Sequence, residues 1–503
     1  MHSFRVLSNG VAWQPWSSAA FARARAEGKP VLLSISATWC HSCHEMDRTS
    51  YADPFIATLI NERFVPIRVD ADDRPDISER YNLGGWPTTA FLTPEGQILA
   101  GGTFVPVERM PGVLAQVADA FASSLDLARD RPDEVGADHS EPAVETSDAL
   151  NEADLTARVF ATFDDLDGGF GVEPKFPLIA PLQLALELWT GAQDAASETI
   201  VIATLDAMGW SGLYDEVDGG FFRYATARDW QLPHFEKLLD VNAALTRLYL
   251  EAGAALQIAR FTERGADTLR YIQTWLADPV DGGWRGSQQA DERYYAAASV
   301  EGRRGVPAPA VTGSLYADSN AAMVSTALLA AQVFNDDGLR EFAVKSLERI
   351  LLTCYKPGGG VAHHFDGHAR ARGLLADQFA MADACLDVFD ATENVVYEMM
   401  AEELGHYAIR VMWDEHRGGF FDRAQGQDDA DAGPLIGLMN RPLKPFVTNC
   451  DASRTLRRLA AASGDHEFTR IAERTMTEMA PFAAHQGPLA AHYVLAMRAA
   501  SGR

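Results

Sequence analysis

The chain has 503 residues, of which 47% are hydrophobic, and 70 acidic against 43 basic residues give it a formal net charge of −27. This length predicts two or three domains with sizeable cores. The acidic balance excludes a sequence-independent nucleic-acid binder, which needs a basic surface. Five cysteines in this length do not form a disulfide framework. Because no apolar run can span a bilayer and no apolar signal segment follows Met1, we expect a cytoplasmic protein without membrane partners.

The first chemically informative stretch is the Cys-x-x-Cys pair Cys40 and Cys43. The run Val31–Ser36 predicts a buried strand before the pair, and the residues from His44 to about Leu59 predict a helix after it. A helix N-terminus favours a thiolate. We therefore predict thiol–disulfide exchange with a protein partner, in which Cys40 attacks and Cys43 resolves the mixed disulfide.

Neighbouring side chains extend this predicted thiol site. His41 and His44 can add positive charge when protonated, and Trp39 directly precedes the pair. Further strands are predicted at 64–70 and 88–93, the latter turning at Pro94-Glu95-Gly96 into a hairpin. Pro87, just before the strand at 88–93, is expected to be cis and to present backbone to a partner. The alternative is a trans proline that starts an edge strand.

Two other uses of the cysteine pair remain open. Cys40, Cys43 and His44 could supply part of a zinc site, although the chain has no second Cys-x-x-Cys. The same residues match the Cys-x-x-Cys-His spacing of c-type haem attachment, which requires export. We favour redox chemistry and predict no resident metal or cofactor.

Composition divides the chain into residues 1–125, an acidic, proline-containing linker at 126–152, and a helical region at 153–503. Glycine turns recur through the helical region, at 168–169, 219–220, 282–283, 358–360 and 418–419. Such turns suit a helical-hairpin repeat, and we count six hairpins when one is assigned to 440–503. The fold class predicted is therefore an α/β domain followed by a closed all-α barrel, with an open solenoid as the alternative.

Loops of an α/α barrel gather at one end, so polar residues near the glycine turns are candidates for a cavity. Paired carboxylates could act as acid and base at a glycosidic bond, and histidines could move protons at a sugar carbon. Alternatively, each residue caps a helix or forms a buried ion pair. The candidates are Glu173, Lys175, Asp215, Asp218, Arg223, His234, Glu236, Lys237, His363 and His364.

Several segments together resemble one family. They lie at 39–46, 69–76, 84–87 and 101–106 in the first part, and at 169–171, 174–177, 218–224 and 233–237 in the second. The chain is similar in these segments to the thioredoxin-like, spermatogenesis-associated protein 20 family. The resemblance implies a thioredoxin-like domain fused to an (α/α)6 barrel similar to those of N-acylglucosamine 2-epimerases and six-hairpin glycosidases.

The resemblance implies no particular reaction. A carbohydrate-like ligand in the barrel is one expectation, and a carbohydrate-active enzyme with a regulatory thioredoxin-like domain is the alternative to thiol exchange. The chain departs from the family where Phe222 replaces a histidine and where Asp240-Val241 replaces Tyr-Asp. These changes fall at the polar mouth of the expected barrel, so they bear on sugar chemistry more than on the thiols.

Overall fold

The computed structural model describes residues 10–130, 151–425 and 434–502. Two compact units emerge, the first containing described residues 10–130 and 434–442 and the second 151–425 and 443–502. Most of the predicted linker at 126–152 lies outside the described residues. At its edges, residues 126–130 end a helix, and Asn151 caps the next helix by accepting the Asp154 N–H through its side chain.

The first unit is built on a mixed four-stranded sheet in the order β2-β1-β3-β4. β1 is parallel to β2 and antiparallel to β3, and β4 pairs antiparallel with β3. Every residue of β1 is buried, as the apolar run predicted. The strands are β1 (Val31–Ser36), β2 (Val65–Asp70), β3 (Thr88–Leu92) and β4 (Ile98–Gly102), and the helices are α1 (Ser18–Glu27), α2 (His41–Arg48), α3 (Pro54–Arg63), α4 (Pro75–Tyr81) and α5 (Met110–Asp130).

The single helix predicted from His44 to about Leu59 is wrong, because the structure has two helices there, α2 and α3. The break has a local cause. Asp53 accepts the N–H groups of Phe55 and Ile56, and Pro54 occupies the first turn of α3. A capping aspartate followed by proline starts a new helix, since proline lacks the N–H that a continuing helix would need.

A distant segment, 434–442, completes the first unit. It contains a short 3₁₀ turn, Gly437–Asn440. The Tyr81 hydroxyl donates to the Gly96 carbonyl at 2.7 Å and accepts the Leu438 N–H at 2.9 Å. The sequence had placed this segment with the helical region, whereas its contacts join it to the thioredoxin-like sheet and its helices.

The second unit is a double ring of helices. Inner helices α7, α9, α13, α15, α17 and α19 pack side by side in that order, and α19 returns to α7. Each has an outer partner, and the first helix of the unit, α6, pairs with the last, α19. The bounds are α6 (Glu152–Phe160), α7 (Ile179–Ala192), α8 (Ala195–Gly209), α9 (Leu239–Leu256), α10 (Ala259–Tyr271), α11 (Glu292–Tyr295), α12 (Val300–Arg303), α13 (Ala317–Phe334), α14 (Asp337–Cys354), α15 (Leu375–Thr392), α16 (Val395–Met412), α17 (Phe446–Ser463), α18 (His466–Ala483) and α19 (Ala490–Ala500).

The predicted closed barrel is thus confirmed, and its sixth hairpin joins the two ends of the helical region. Glycine turns connect an outer helix to the next inner helix. Short strands border these turns: β5 (Tyr224–Ala225), β6 (Pro233–His234), β7 (Lys237–Leu238), β8 (Ser287–Gln288), β9 (Leu315–Tyr316), β10 (Tyr355–Lys356), β11 (Gly360–Phe365) and β12 (Ala369–Arg372).

At several of these turns, a side-chain amide on an inner helix makes the same pair of hydrogen bonds to the backbone. Asn242 accepts the N–H of Phe221 and donates to its carbonyl. Asn320 does the same for Trp284 and Asn449 for Phe420, while Gln378 serves Val361. These amides satisfy the backbone of residues that turn toward the core, where an unpaired group would be costly. Within the described chain, no helix combines the length and apolar character needed to cross a bilayer.

Candidate functional sites

The cysteine pair lies where β1 leads into α2. Cys40 and Cys43 are joined by a disulfide with Cα atoms 5.3 Å apart, and each residue is only 3% exposed. Cys40 is the N-cap of α2, and its sulfur accepts the Cys43 N–H at 3.2 Å. The helix N-terminus therefore stabilises negative charge on Cys40 when the disulfide is reduced.

An aromatic pair flanks the thiols. Trp39 is buried, and its ring meets that of Trp86 edge-on at 5.7 Å. The Trp86–Pro87 bond is cis, as predicted, and Pro87 directly precedes β3. The Trp39 indole N–H donates to an Asp72 carboxylate oxygen at 2.7 Å, which fixes the ring in place.

The charge around the thiols is less positive than the two histidines suggested. Burial lowers the pKa of His44, which the nearby Asp47 only partly offsets, so His44 is largely neutral at pH 7. Burial, with Asp72 and Asp73 adding to it, raises the pKa of Asp70 well above its usual value. The helix terminus thus remains the clearest source of thiolate stabilisation.

In the second unit, Lys175 and Lys237 form buried ion pairs. The Lys175 ammonium donates to Asp164 at 2.8 Å and to the Gly168 carbonyl at 2.6 Å. Lys237 makes the same two contacts, with Asp215 at 2.7 Å and the Gly219 carbonyl at 2.6 Å. Burial lowers the pKa of Lys237 to about 8, against the opposing pull of Asp215. These two candidate residues therefore hold the glycine turns through buried ion pairs, which was the alternative to a role in a cavity.

Asp218 belongs to the same network as Asp215. Arg303 on α12 donates to both carboxylates, at 2.7 Å to Asp215 and 2.6 Å to Asp218. The Tyr294 hydroxyl also donates to Asp218, at 2.9 Å. Arg303 could not be predicted from the sequence, because 88 residues separate it from Asp215 and only the packing of α12 brings them together.

His234 and Glu236 remain together, near Arg223. His234 Nδ1 lies 3.7 Å from a Glu236 oxygen, and its side chain is 35% exposed while that of Glu236 is 3% exposed. Burial raises the Glu236 pKa, but His234 and the charge of Arg223 outweigh it, so the pKa lies below its usual value. The Arg223 guanidinium lies over the Tyr224 ring. Glu173 is exposed and precedes a second cis proline, Pro174.

Aromatic rings stack on the His234 side chain. Tyr224 stacks on His234 with ring centroids 4.3 Å apart, and Phe176 stacks on Tyr224 at 4.6 Å. Phe176 is 40% exposed. Phe222, where the resemblance led us to expect a histidine, is buried against Phe235. This corner of the second unit joins an accessible histidine, a buried carboxylate and an open aromatic face.

The two adjacent histidines lie on β11 and have different neighbours. His363 Nδ1 is 2.9 Å from Asp377 Oδ1 on α15, and both residues are buried. Burial raises the Asp377 pKa to about 6, and His363 and the Asp318 backbone N–H oppose that shift. His364 lies beside the Tyr316 ring, with centroids 5.8 Å apart. The sequence analysis predicted the two histidines as candidates but did not predict Asp377. Asp377 is 14 residues from His363 and lies on a different element, so no local pattern links the two.

A family model, Thioredox_DsbH, described as a protein of unknown function, DUF255, matches residues 4–140. Spermatogenesis-associated protein 20 of Rattus norvegicus is 31% identical over 309 residues, which cover 56% of this chain and 39% of that protein. The chain spans 39–44% of the length of the first curated relatives that it matches. Thiol:disulfide interchange protein DsbD of Escherichia coli K12 is 33% identical over 79 residues, 15% of this chain and 14% of that protein.

Among solved structures, cellobiose 2-epimerase from Bacillus thermoamylovorans B4167 matches with a TM-score of 0.51 at 11% identity, over 65% of this chain and 86% of that one. Likeness at this identity concerns the fold alone. The comparisons confirm the resemblance inferred from the sequence: residues 4–140 match the thioredoxin-like DsbH family, the chain is related to spermatogenesis-associated protein 20, and its second unit has the fold of (α/α)6 barrels.

Proposed function

We propose that the chain is a thiol–disulfide exchange protein that uses Cys40 and Cys43. The observation that carries the proposal is the disulfide between these residues at the N-terminus of α2. The other three cysteines, Cys354, Cys385 and Cys450, are buried free thiols. Burial raises the pKa of Cys354 to about 11 and raises those of the other two further, so they are poor nucleophiles.

The exchange passes two electrons. In the reduced protein, the Cys40 thiolate attacks one sulfur of a partner disulfide, and the partner's other sulfur leaves as a thiolate. The Cys43 thiolate then attacks Cys40 in the mixed disulfide and releases the partner as a dithiol, which leaves the Cys40–Cys43 disulfide. The reverse sequence oxidises a partner dithiol. Trp39 directly precedes Cys40, and its ring contacts that of Trp86, the residue before Pro87.

A redox titration tests this proposal. The protein is equilibrated in glutathione buffers of graded potential, trapped with a thiol-reactive mass tag and weighed, with zinc measured on the same sample. We expect one reversible two-electron transition that Cys40→Ser and Cys43→Ser abolish and the matched control Cys354→Ser leaves unchanged. Cys43→Ser should also accumulate a mixed disulfide at Cys40. Thiols that never oxidise, or zinc bound stoichiometrically to the reduced pair, would overturn the proposal.

A second candidate is chemistry on a carbohydrate in the barrel. It is favoured by the partly exposed Phe176–Tyr224–His234 stack beside Glu236, since an aromatic face and an acid–base pair suit a sugar ring. For an epimerase-type reaction, one group removes the proton from C2 of an open-chain aldose and another returns a proton to the opposite face.

Proton exchange tests this candidate directly. The protein is incubated with cellobiose or D-mannose in D₂O, and deuterium at C2 is followed by NMR. If the barrel acts on a carbohydrate, we expect deuterium exchange at C2 that is lost in the His234→Ala, Glu236→Gln double variant and retained in Cys40→Ser. Exchange that persists in the double variant, or no exchange with either sugar, counts against it.

A further inference from the structure

Three side chains of the second unit converge without forming part of either site above. Asp318 is the second residue of α13, Asp377 is the third residue of α15, and His363 lies on β11. One ligand-type atom from each lies within 4.8 Å of the other two. The His363 Nδ1 to Asp377 Oδ1 distance is 2.9 Å. Such a cluster has the dimensions of a first coordination sphere, in which ligand atoms lie on one small ion.

Asp377 provides a second, independent observation. Its side chain is 0% exposed, and its Oδ2 atom is buried without a well-formed hydrogen bond among the described residues. A buried carboxylate oxygen that has at most a poorly aligned backbone N–H, here that of Asp318, has lost its hydration with little replacement. Arginines and lysines neutralise the buried aspartates of the glycine turns, but Asp377 contacts a histidine. A cation on the Oδ2 side would supply the missing partner.

From this geometry we propose that Asp318, His363 and Asp377 bind a divalent transition-metal ion. Two carboxylates balance the charge of the ion, and the imidazole selects for Zn²⁺, Mn²⁺ or Fe²⁺ over Ca²⁺ and Mg²⁺, which prefer oxygen ligands only. Three protein ligands leave at least one coordination position for water or a ligand. Asp318 is partly exposed, so the open position lies on its side of the cluster.

The site does not depend on the proposed thiol exchange, because it uses none of the cysteines. It differs from a second acidic cluster with a histidine among the described residues, His406, Asp465 and Glu467, whose members are all partly or fully exposed. Exposed acidic groups need no ion, since water solvates them. That second cluster therefore provides a matched control in the same protein.

Metal binding is tested on the oxidised full chain, in which the Cys40–Cys43 disulfide cannot ligate a metal. ZnCl₂ and MnCl₂ are titrated into the chelator-treated protein by calorimetry, and the bound metal is counted after dialysis. We expect one equivalent of at least one of these ions, with affinity weakened about 100-fold or more in Asp377→Asn and His363→Ala. The control Asp465→Asn should bind as the wild type does. No binding of either ion, or binding that both site variants retain, overturns the proposal.

Cobalt spectroscopy of the wild type keeps the test meaningful if a variant fails to fold. Co²⁺ bound by an imidazole and two carboxylates gives visible d–d bands without a sulfur-to-cobalt charge-transfer band. The expected spectrum therefore lacks that band. A strong sulfur-to-cobalt band would place the ion at cysteine and contradict the assignment.

Discussion

The glycine turns that contain a paired aspartate differ from the turn that lacks one. At three turns, a lysine bridges an aspartate and a glycine carbonyl, in the pairs Asp164–Lys175, Asp215–Lys237 and Asp414–Lys444. The turn at Gly358–Gly360 has no such aspartate, and Arg372 donates to the Gly360 carbonyl instead. His363 and Asp377 follow that turn. The lysines and aspartates of these three turns thus hold the turns themselves, whereas His363 and Asp377 pair with each other.

The largest loss of stability is expected on removing a buried lysine from a turn that contains a lysine–aspartate pair. Lys237→Met should destabilise the protein by about 3 kcal/mol, because it leaves Asp215 and the Gly219 carbonyl buried with one donor fewer. Urea unfolding measures the loss. Lys444→Met serves as the comparison and should cost less, since the Lys444 side chain is 13% exposed and water can replace it. Full stability in Lys237→Met would mean that the lysine is not structural.

A smaller loss of stability is expected on replacing glycines at the turns that contain a lysine–aspartate pair. Gly220 has φ +83, and an added Cβ would lie 2.4 Å from the Tyr271 ring. Gly171 has φ +78 with open space around it. Gly171→Ala should therefore cost about 1 kcal/mol of backbone strain, and Gly220→Ala should cost that plus a packing penalty of about 1 kcal/mol. Equal thermal unfolding midpoints for the two variants would contradict the close packing of this turn.

The smallest effect concerns pH. Burial raises the Asp414 pKa, but Lys444 and the N–H groups of His416 and Arg417 outweigh it and bring the pKa to about 2. A carboxyl with a lowered pKa stabilises the fold above its unfolded pKa near 4, and this stabilisation disappears as the pH falls toward 2. Partial solvent screening limits it to about 1 kcal/mol.

Asp414→Asn should accordingly unfold more easily than the wild type at pH 6, and the difference should shrink on acidification toward pH 2. Denaturant unfolding at a series of pH values measures this. If the difference in unfolding free energy between the two proteins stays constant across the series, the charge of Asp414 does not stabilise the fold.

The sequence by itself determined the local features. The mostly apolar run 31–36, in which only Ser34 and Ser36 are polar, predicted β1 with the bounds that the structure has, because a strand buried on both faces has few polar residues. The cysteine pair and the glycine turns were equally readable, since each depends on neighbouring residues. The start of α3 was also encoded locally, by Asp53 and Pro54, and the prediction of one helix passed over that signal.

Only the tertiary structure decided which polar residues share a site. Lys175 and Lys237 lie near the expected barrel mouth in sequence, but packing commits them to Asp164 and Asp215. Asp318 and Asp377 lie on the neighbouring inner helices α13 and α15, and the packing of these helices against each other and against β11 brings both residues to His363. The segment 434–442 joins the first unit through Tyr81, more than 350 residues earlier. Contacts between residues so far apart leave no periodic mark in the chain, because they depend on how complete helices pack.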